Sequence, residues 1–400
     1  MRSLVVFCAG TMWLHAQTQS GELSPETLLL AKIRRHMIEN LQRQPNYTCV
    51  ETVERSNRIG ATRKFHLTDT LRLEVALVDG KEMFGWPGAK KFEDTDLRAI
   101  VPTGTIGNGN FALHARAIFQ SSSATFTYRG TDDGVERYDF RVPLMLSGYR
   151  IRVADKEAIV AYSGSFYADP ATLDIRRIEV VADDIPRTLG LAQAVDRVEY
   201  GRLQIGETDF LLPTASELTM VDLDGQEHRN RVRFASCRQF TGESVLTFDE
   251  APAFDLKGDQ KGDQKADDIE VPTGLGFTLS LLDEVDANGA AIGDPVRARL
   301  ESSLKQKGRV LFPKGATLTG RVTRIDKREQ YTLIGLEFSE IESETSRAHI
   351  TPRFEDFVSD GVLIPRPPRG SFDPRPGEGI LPLRPGRFRL QRGILMFWRT

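Results

Sequence analysis

The side chains that could do chemistry in this 400-residue chain are few and scattered. His36, His66, His114, His228 and His349 follow the N-terminal segment, but no two stand at metal-ligand spacing. Neither HExxH nor CxxC occurs, so a zinc centre has no framework in the sequence. His114 sits in a segment with helical spacing and reads as a structural histidine facing a sheet. Ser163 and Ser165 lie in "YSGSFY", which lacks the G-x-S-x-G elbow of a serine nucleophile and reads as mid-strand. "GTIGNGNF" is glycine-rich, but no Lys-Ser/Thr pair follows to hold a nucleotide phosphate, so it reads as a flexible link. Asp132-Asp133 and Asp183-Asp184 would point to opposite faces of a strand. Turns are the simpler account, with calcium as the alternative. No cofactor is expected.

The one constellation suited to binding is apolar. Phe84, Trp86, Phe111, Phe119, Phe126, Tyr128, Phe140, Phe166 and Tyr167 all precede residue 170. If the sheet that carries them curves, Phe84, Trp86, Phe119, Phe126, Tyr128 and Phe140 would line a concave pocket for an acyl chain. The alternative is an ordinary core beneath the helices.

The elements that must position these residues begin after an export signal. Arg2 and the apolar run Leu4–Leu14 have the length of a signal peptide, too short to span a bilayer, with cleavage after Ala16. The remainder, residues 22–248, opens with a helix. Ser24 is a suitable N-cap, Pro25 takes the first helical position, and Leu29, Ile33, Met37 and Leu41 form an apolar stripe. Beyond Pro45 the pattern is strand. Leu71, Leu73, Val75 and Leu77 alternate before an Asp79-Gly80 turn. Tyr138, Phe140 and Val142 share a face, two strands meet at Asp169-Pro170, and Pro213 reads as a break. Residues 93–122 interrupt the strands with helix-like spacing. Hairpin-linked strands imply an antiparallel sheet. Cys49 falls in the first strand and Cys237 in one of the last. A curved sheet that brings those strands together would allow a Cys49–Cys237 disulfide, as an exported chain with an even cysteine count permits; two buried thiols are the alternative.

Residues 249–268, with the repeat "KGDQKGDQK", read as a flexible charged linker. Residues 269–400 form a second β-unit. "VPTG", "FPKG" and "LQRG" each place a turn and a glycine before a strand, and Ile334, Leu336 and Phe338 share a face. Gly320 suits a close backbone approach or a bulge. Residues 351–379, rich in Pro and Arg, read as an irregular excursion before the last strand. The expected fold is mainly β with a few helices: an antiparallel curved half-barrel domain plus a small β-barrel or sandwich.

Two resemblances follow from these segments. Pro272, Gly274, Gly293-Asp294-Pro295-Val296, Ala298, Gly308, Phe312-Pro313-Lys314-Gly315 and Gly320-Arg321-Val322 resemble the C-terminal domain of TrbI-type outer-membrane core-channel proteins of type IV secretion. "LQRGILMFWRT" resembles that family's closing strand, with Gln391 where Pro is usual. The inner-membrane anchor and apolar antenna helix of those channels have no counterpart here, so the resemblance implies the barrel module and not a channel. The layout of residues 22–248 resembles the half-barrels of periplasmic lipoprotein carriers and outer-membrane lipoprotein-sorting proteins.

A net charge of −3 without a basic stripe argues against nucleic acid. The combined expectation is an exported, periplasmic or extracellular protein of a bacterial envelope, non-enzymatic, with no membrane-spanning segment in the mature chain. It would bind a lipid or lipidated protein. The alternatives are an envelope scaffold that docks a protein partner through residues 269–400, and a metal-dependent hydrolase.

Overall fold

The computed structural model describes residues 23–60, 63–88, 92, 111, 113–153, 156–240, 267–328, 330–358, 361–364 and 374–400. The expected signal segment, nearly all of the expected linker and the "GTIGNGN" link lie outside them.

Helix α1 (Pro25–Arg43) carries Pro at its first position, Glu26 in its first turn and Arg43 in its last, each favourable at its end of the helix dipole. Ser24 caps with its carbonyl, which takes the amides of Thr27 and Leu28 at 3.0 Å; its hydroxyl goes to the Thr27 hydroxyl instead. Of the expected stripe, Ile33, Met37 and Leu41 are buried, and each contributes roughly 1.5–3 kcal/mol by leaving water.

Twelve strands follow: β1 (Tyr47–Ile59), β2 (His66–Val78), β3 (Lys81–Gly85), β4 (Thr125–Asp132), β5 (Val135–Val142), β6 (Arg150–Val153), β7 (Lys156–Ile159), β8 (Ala161–Ala168), β9 (Ile175–Asp183), β10 (Leu191–Ile205), β11 (Thr208–Asp222) and β12 (Gln226–Gln239). Ten of them make one antiparallel sheet in the order β3-β2-β1-β12-β11-β10-β9-β8-β5-β4, and β6 and β7 pair separately. The turn expected at Asp79-Gly80 has both residues at positive φ, 51° and 81°, as a tight hairpin requires. Pro213 does not break its strand. It sits inside β11, next to a bulge opposite Glu199 and Tyr200, where β12 has not yet begun to pair. A residue without an amide proton is tolerated there.

The two faces of this sheet differ because alternate residues differ. Glu179, Arg197, Glu217, Arg231 and Glu54 stand opposite one another in register across β9, β10, β11, β12 and β1. The row is laced by ion pairs at 2.9 Å (Arg197–Glu179) and 2.8 Å (Arg231–Glu217). Such pairs are exposed and each contributes at most about 1 kcal/mol. Their effect is to keep that face in water. The opposite face carries the core and lies under α1.

Cys49 and Cys237 form a disulfide with a Cα–Cα distance of 4.1 Å. The first strand of the sheet pairs directly with its last, β1 with β12, and a register shift beside Cys49, with Ser236 at φ 51°, brings the two sulfurs together.

The second half contains β13 (Asp267–Asp268), β14 (Gly276–Leu281), β15 (Val285–Asp286), β16 (Pro295–Leu300), β17 (Leu304–Gln306), β18 (Arg309–Phe312), β19 (Thr317–Arg328), β20 (Tyr331–Glu342), β21 (Ser346–His349), β22 (Arg353–Phe357), β23 (Gly379–Leu383), β24 (Arg389–Leu390) and β25 (Leu395–Arg399). Nine of them make one sheet in the order β13-β21-β20-β19-β16-β14-β25-β22, with β23 also paired to β20, and it curls back on itself between β22 and β23. Its ends approach so closely that a Cβ on Gly379 would meet the Phe354 ring at 2.7 Å and the Trp398 ring at 2.8 Å. Gly320 combines the two roles expected of it. It lies at a register shift, and an added Cβ would stand 1.9 Å from the Glu337 carbonyl oxygen. The expectation that residues 351–379 are wholly irregular is corrected: Arg353–Phe357 pair with the last strand as β22, and buried Glu378 anchors the end of the insert through Thr323, Arg324 and the Arg375 amide. Asp267-Asp268, at the end of the expected linker, also pair, in parallel with β21.

Beside the chain connection, the two sheets touch directly. β3 pairs only with Glu74–Val78 of β2, which leaves that flank of β2 open further back. Ile292 fills it: its amide donates to the Thr70 carbonyl and its carbonyl accepts the Arg72 amide, both at 2.8 Å. Asp294 pairs with Arg72, and Arg321 lies over the Trp86 ring at 4.9 Å. Gly293 between them has φ 101°, and a Cβ there would stand 2.3 Å from the Arg72 carbonyl oxygen.

Candidate functional site

Helix α1 crosses the inner face of the first sheet and is tied to it at three heights. The Tyr138 hydroxyl on β5 donates to the Glu26 carbonyl at 2.7 Å. Midway, His36 meets Asp174 at 2.8 Å, and Arg202 on β10 makes two bonds to the same carboxylate. These bonds outweigh the effect of partial burial and hold the Asp174 carboxyl below its ordinary range. Near the C-terminus of the helix, the Asn40 side chain pairs both ways with the Leu211 backbone at 2.9 Å, as a neighbouring strand would. A helical segment at 113–120 packs beside α1 and buries Ile118 and Phe119.

The six aromatic residues expected to line a pocket fall in two places. Phe119, Phe126 and Phe140 belong to one cluster under α1, together with Tyr138, Tyr162 and Phe166. Its rings meet edge to face, as Phe119 and Phe166 do at 5.1 Å, the arrangement that ring quadrupoles favour. Tyr128 is at the margin of this cluster, 39 % exposed, with its ring 5.1 Å from that of Tyr138. Phe84 lies in a second cluster with Tyr47, Cys49, Phe111 and Phe234, and Trp86 packs at its edge against the second half of the chain.

Between these apolar groups the inner face holds polar residues that motif reading passed over. On β1, Tyr47, Cys49, Glu51 and Val53 share one phase, and Glu51 is 2 % exposed. On β10, Ala194, Asp196, Val198 and Tyr200 share one phase, and Asp196 is 3 % exposed. A charged residue on the apolar phase of a strand was the available signal. Burial, with the neighbouring Glu82 carboxylate adding to it, pushes Glu51 up to about 8, so it carries its proton at neutral pH. Burial likewise raises the Tyr47 and Tyr200 hydroxyls far above the usual phenol range.

These groups act on one another. Glu82 on β3 raises Glu51, Tyr47 and Tyr200; Asp196 raises Tyr200; Arg116, from the helical segment, favours the ionised form of Tyr47. β3 and β10 are five steps apart in the sheet, about 24 Å if it were flat at the usual strand spacing. Asp196 also holds His114 at 3.0 Å, and the His114 ring stands edge-on to Tyr149 at 5.5 Å. His114 therefore has a carboxylate partner, and among the described residues no group of three His, Cys, Asp or Glu side chains is arranged to hold a metal.

Four buried oxygens of the inner face have no hydrogen-bond partner among the described residues: Tyr47 Oη, Tyr200 Oη, Glu51 Oε2 and Asp196 Oδ1. An unmet buried polar atom costs roughly 1–3 kcal/mol, so a group that satisfies several of them would gain affinity. The cluster can donate through phenols and a neutral carboxyl and accept through Asp196. It contains no thiol or activated hydroxyl. Among the described residues no helix is long and apolar enough to cross a membrane.

No family model and no curated protein matches this chain. Among solved structures, a DUF1329 family protein from Desulfovibrio piger is similar over 55 % of this chain and 95 % of its own, at 12 % identity and a TM-score of 0.29.

Proposed function

We propose that this is an exported, non-enzymatic protein of a bacterial envelope that binds a hydrophobic ligand or the lipid of a lipidated partner on the inner face of its first sheet. One observation carries the reading: an antiparallel sheet, roofed by α1 and the 113–120 segment, presents aromatic clusters together with buried polar atoms that have no partner among the described residues. A surface built for packing alone would place apolar residues at Glu51 and Asp196, because unmatched polar groups weaken a core. The resemblance of the helix-and-strand layout to lipoprotein carriers points the same way. The second half of the chain, seated on β2 through Ile292, closes the flank of that sheet rather than adding chemistry.

The test is native mass spectrometry of the full mature chain after gentle extraction, paired with displacement of a fluorescent fatty-acid probe. Co-purifying lipid or a saturable probe signal is the expected result. A ligand-free mass together with no probe binding would leave the proposal without support.

A further inference from the structure

We infer that the corner of the first sheet where the β1–β2 and β11–β12 turns meet docks on an anionic lipid surface, with Arg229 taking a head-group phosphate oxygen and the exposed side chains of Ile59, Leu67 and Leu223 entering the apolar layer. The site lies on the outer face and is separate from the inner-face reading above.

The argument starts from strand register. In the outer row Glu54, Arg231, Glu217, Arg197 and Glu179, charges alternate in sign, so each cation has an acid beside it. The next row toward the turns is Leu67, Ser56, Arg229 and Thr219, on β2, β1, β12 and β11. Here a guanidinium stands between two hydroxyls, with in-register neighbours about 5 Å apart, and the row holds no acid. Among the described residues Arg229 makes no hydrogen bond or ion pair, its Nε is buried without an acceptor, and the Ser56 and Thr219 hydroxyls are likewise unbonded. The neighbouring acids are engaged elsewhere: Glu217 by Arg231 at 2.8 Å, Glu54 by Arg233 at 3.7 Å, and Glu227 by two bonds from Arg58. The Phe65 ring holds the guanidinium in place, 3.8 Å from the Arg229 Cζ and 4.3 Å from that of Arg58. Burial first, then the like charges of Arg231 and Arg58, pulls Arg229 below the usual guanidinium range. A phosphate oxygen would bring the acceptor and the counter-charge that the protein withholds, and the planar guanidinium fork fits it.

What surrounds Arg229 favours a lipid surface over a free ion. Ile59 is 69 % exposed, Leu67 60 % and Leu223 51 %. The Gly60 amide donates to the Gly225 carbonyl at 3.4 Å and joins the two turns into one edge. Arg63 and Lys64 on the β1–β2 turn are exposed and have no ion pair among the described residues. Aliphatic side chains interleaved with uncommitted cations suit a membrane interface, where the first reach acyl chains and the second stay with phosphates. A free phosphate would use Arg229 and leave the three aliphatic side chains in water.

The test is co-sedimentation of the full mature chain with vesicles of phosphatidylglycerol mixed into phosphatidylethanolamine, compared with phosphatidylcholine vesicles and, by calorimetry, with inorganic phosphate. The anionic vesicles should bind at least about tenfold tighter than phosphatidylcholine. Arg229→Gln should weaken that binding about fivefold, the ~1 kcal/mol that one cation contributes near an anionic surface. Ile59→Ser with Leu67→Ser, both at exposed positions, should weaken it at least about tenfold. Arg197→Gln, one row away in the ion-paired ladder, should leave it unchanged. Binding of the fatty-acid probe should survive every one of these substitutions, so failure of the inner-face reading would show separately. No vesicle binding, or equal binding to both vesicle types, overturns the inference. Binding of inorganic phosphate without vesicle binding assigns Arg229 to a free ion and overturns the membrane surface. Equal effects of Arg229→Gln and Arg197→Gln, or none from Arg229→Gln and the serine pair, overturn the assignment to this corner.

Discussion

Glu51 offers a measurement of the site that needs no ligand. Its carboxyl is raised from the ordinary 4.5 to about 8 by burial first and by Glu82 second. Below pH 4.5 both folded and unfolded chains hold the proton, and the residue adds no pH dependence. Between the two values the unfolded chain releases the proton and the folded chain keeps it. Stability therefore falls as pH rises, by about 1.4 kcal/mol per unit for this one group. Above about 8 both forms are ionised and the loss levels off, at roughly 5 kcal/mol in total. Glu51→Gln keeps the shape and most hydrogen-bonding capacity but removes the titration. Urea unfolding of wild type and variant from pH 5 to pH 9, with the disulfide intact, should show two curves that diverge, the variant becoming the more stable as pH rises. The difference between them isolates Glu51 from every other titrating group. Parallel curves would refute the claim that this carboxyl is buried and neutral in the folded protein.

Four further outcomes follow from named contacts. Reduction of Cys49–Cys237, or Cys49→Ser, should cost roughly 5 kcal/mol in the loop-entropy account, given a separation of 188 residues, and lower the melting temperature only for protein that began oxidised. Gly293→Val should unseat Ile292 from β2, with loss of two backbone bonds worth about 1 kcal/mol each; small-angle scattering should report a larger radius of gyration while circular dichroism stays unchanged. Gly164→Ala would place a Cβ 1.8 Å from the Glu179 carbonyl oxygen and should destabilise the first sheet by at least about 3 kcal/mol in chemical denaturation. Arg197→Ala, on the watered face, should change stability by less than about 1 kcal/mol and leave ligand binding intact.

The strands and their turns were legible because each has a local cause. The alternation of Leu71, Leu73, Val75 and Leu77 sets the buried face of β2, and positive-φ glycines at 274, 315 and 393 fall where the three turn patterns put them. The Cys49–Cys237 bond followed from the expectation that a curved sheet brings its first and last strands together, and β1 does pair with β12. The site was less legible. Its six aromatic candidates are all present, but strand order sends Phe84 and Trp86 to a different cluster from Phe119, Phe126 and Phe140, and order depends on pairing that no local pattern encodes. Glu51 and Asp196 lie 145 residues apart. Each breaks the apolar phase of its own strand, and strand order sets them on the same face of the sheet. Pro213 misled because its tolerance depends on where a neighbouring strand begins.

The bond between Cys49 and Cys237 has a consequence beyond stability. It converts nearly the whole first sheet into a covalent ring, with α1 leaving from one side and the remaining chain from the other. A single cut by a protease anywhere in that ring, in a turn such as the one at Asp133-Gly134, would leave one molecule with all its strands in place. Where proteases reach the protein, such a ring tolerates nicking. The nicked protein would run as one species until reductant separated it into two.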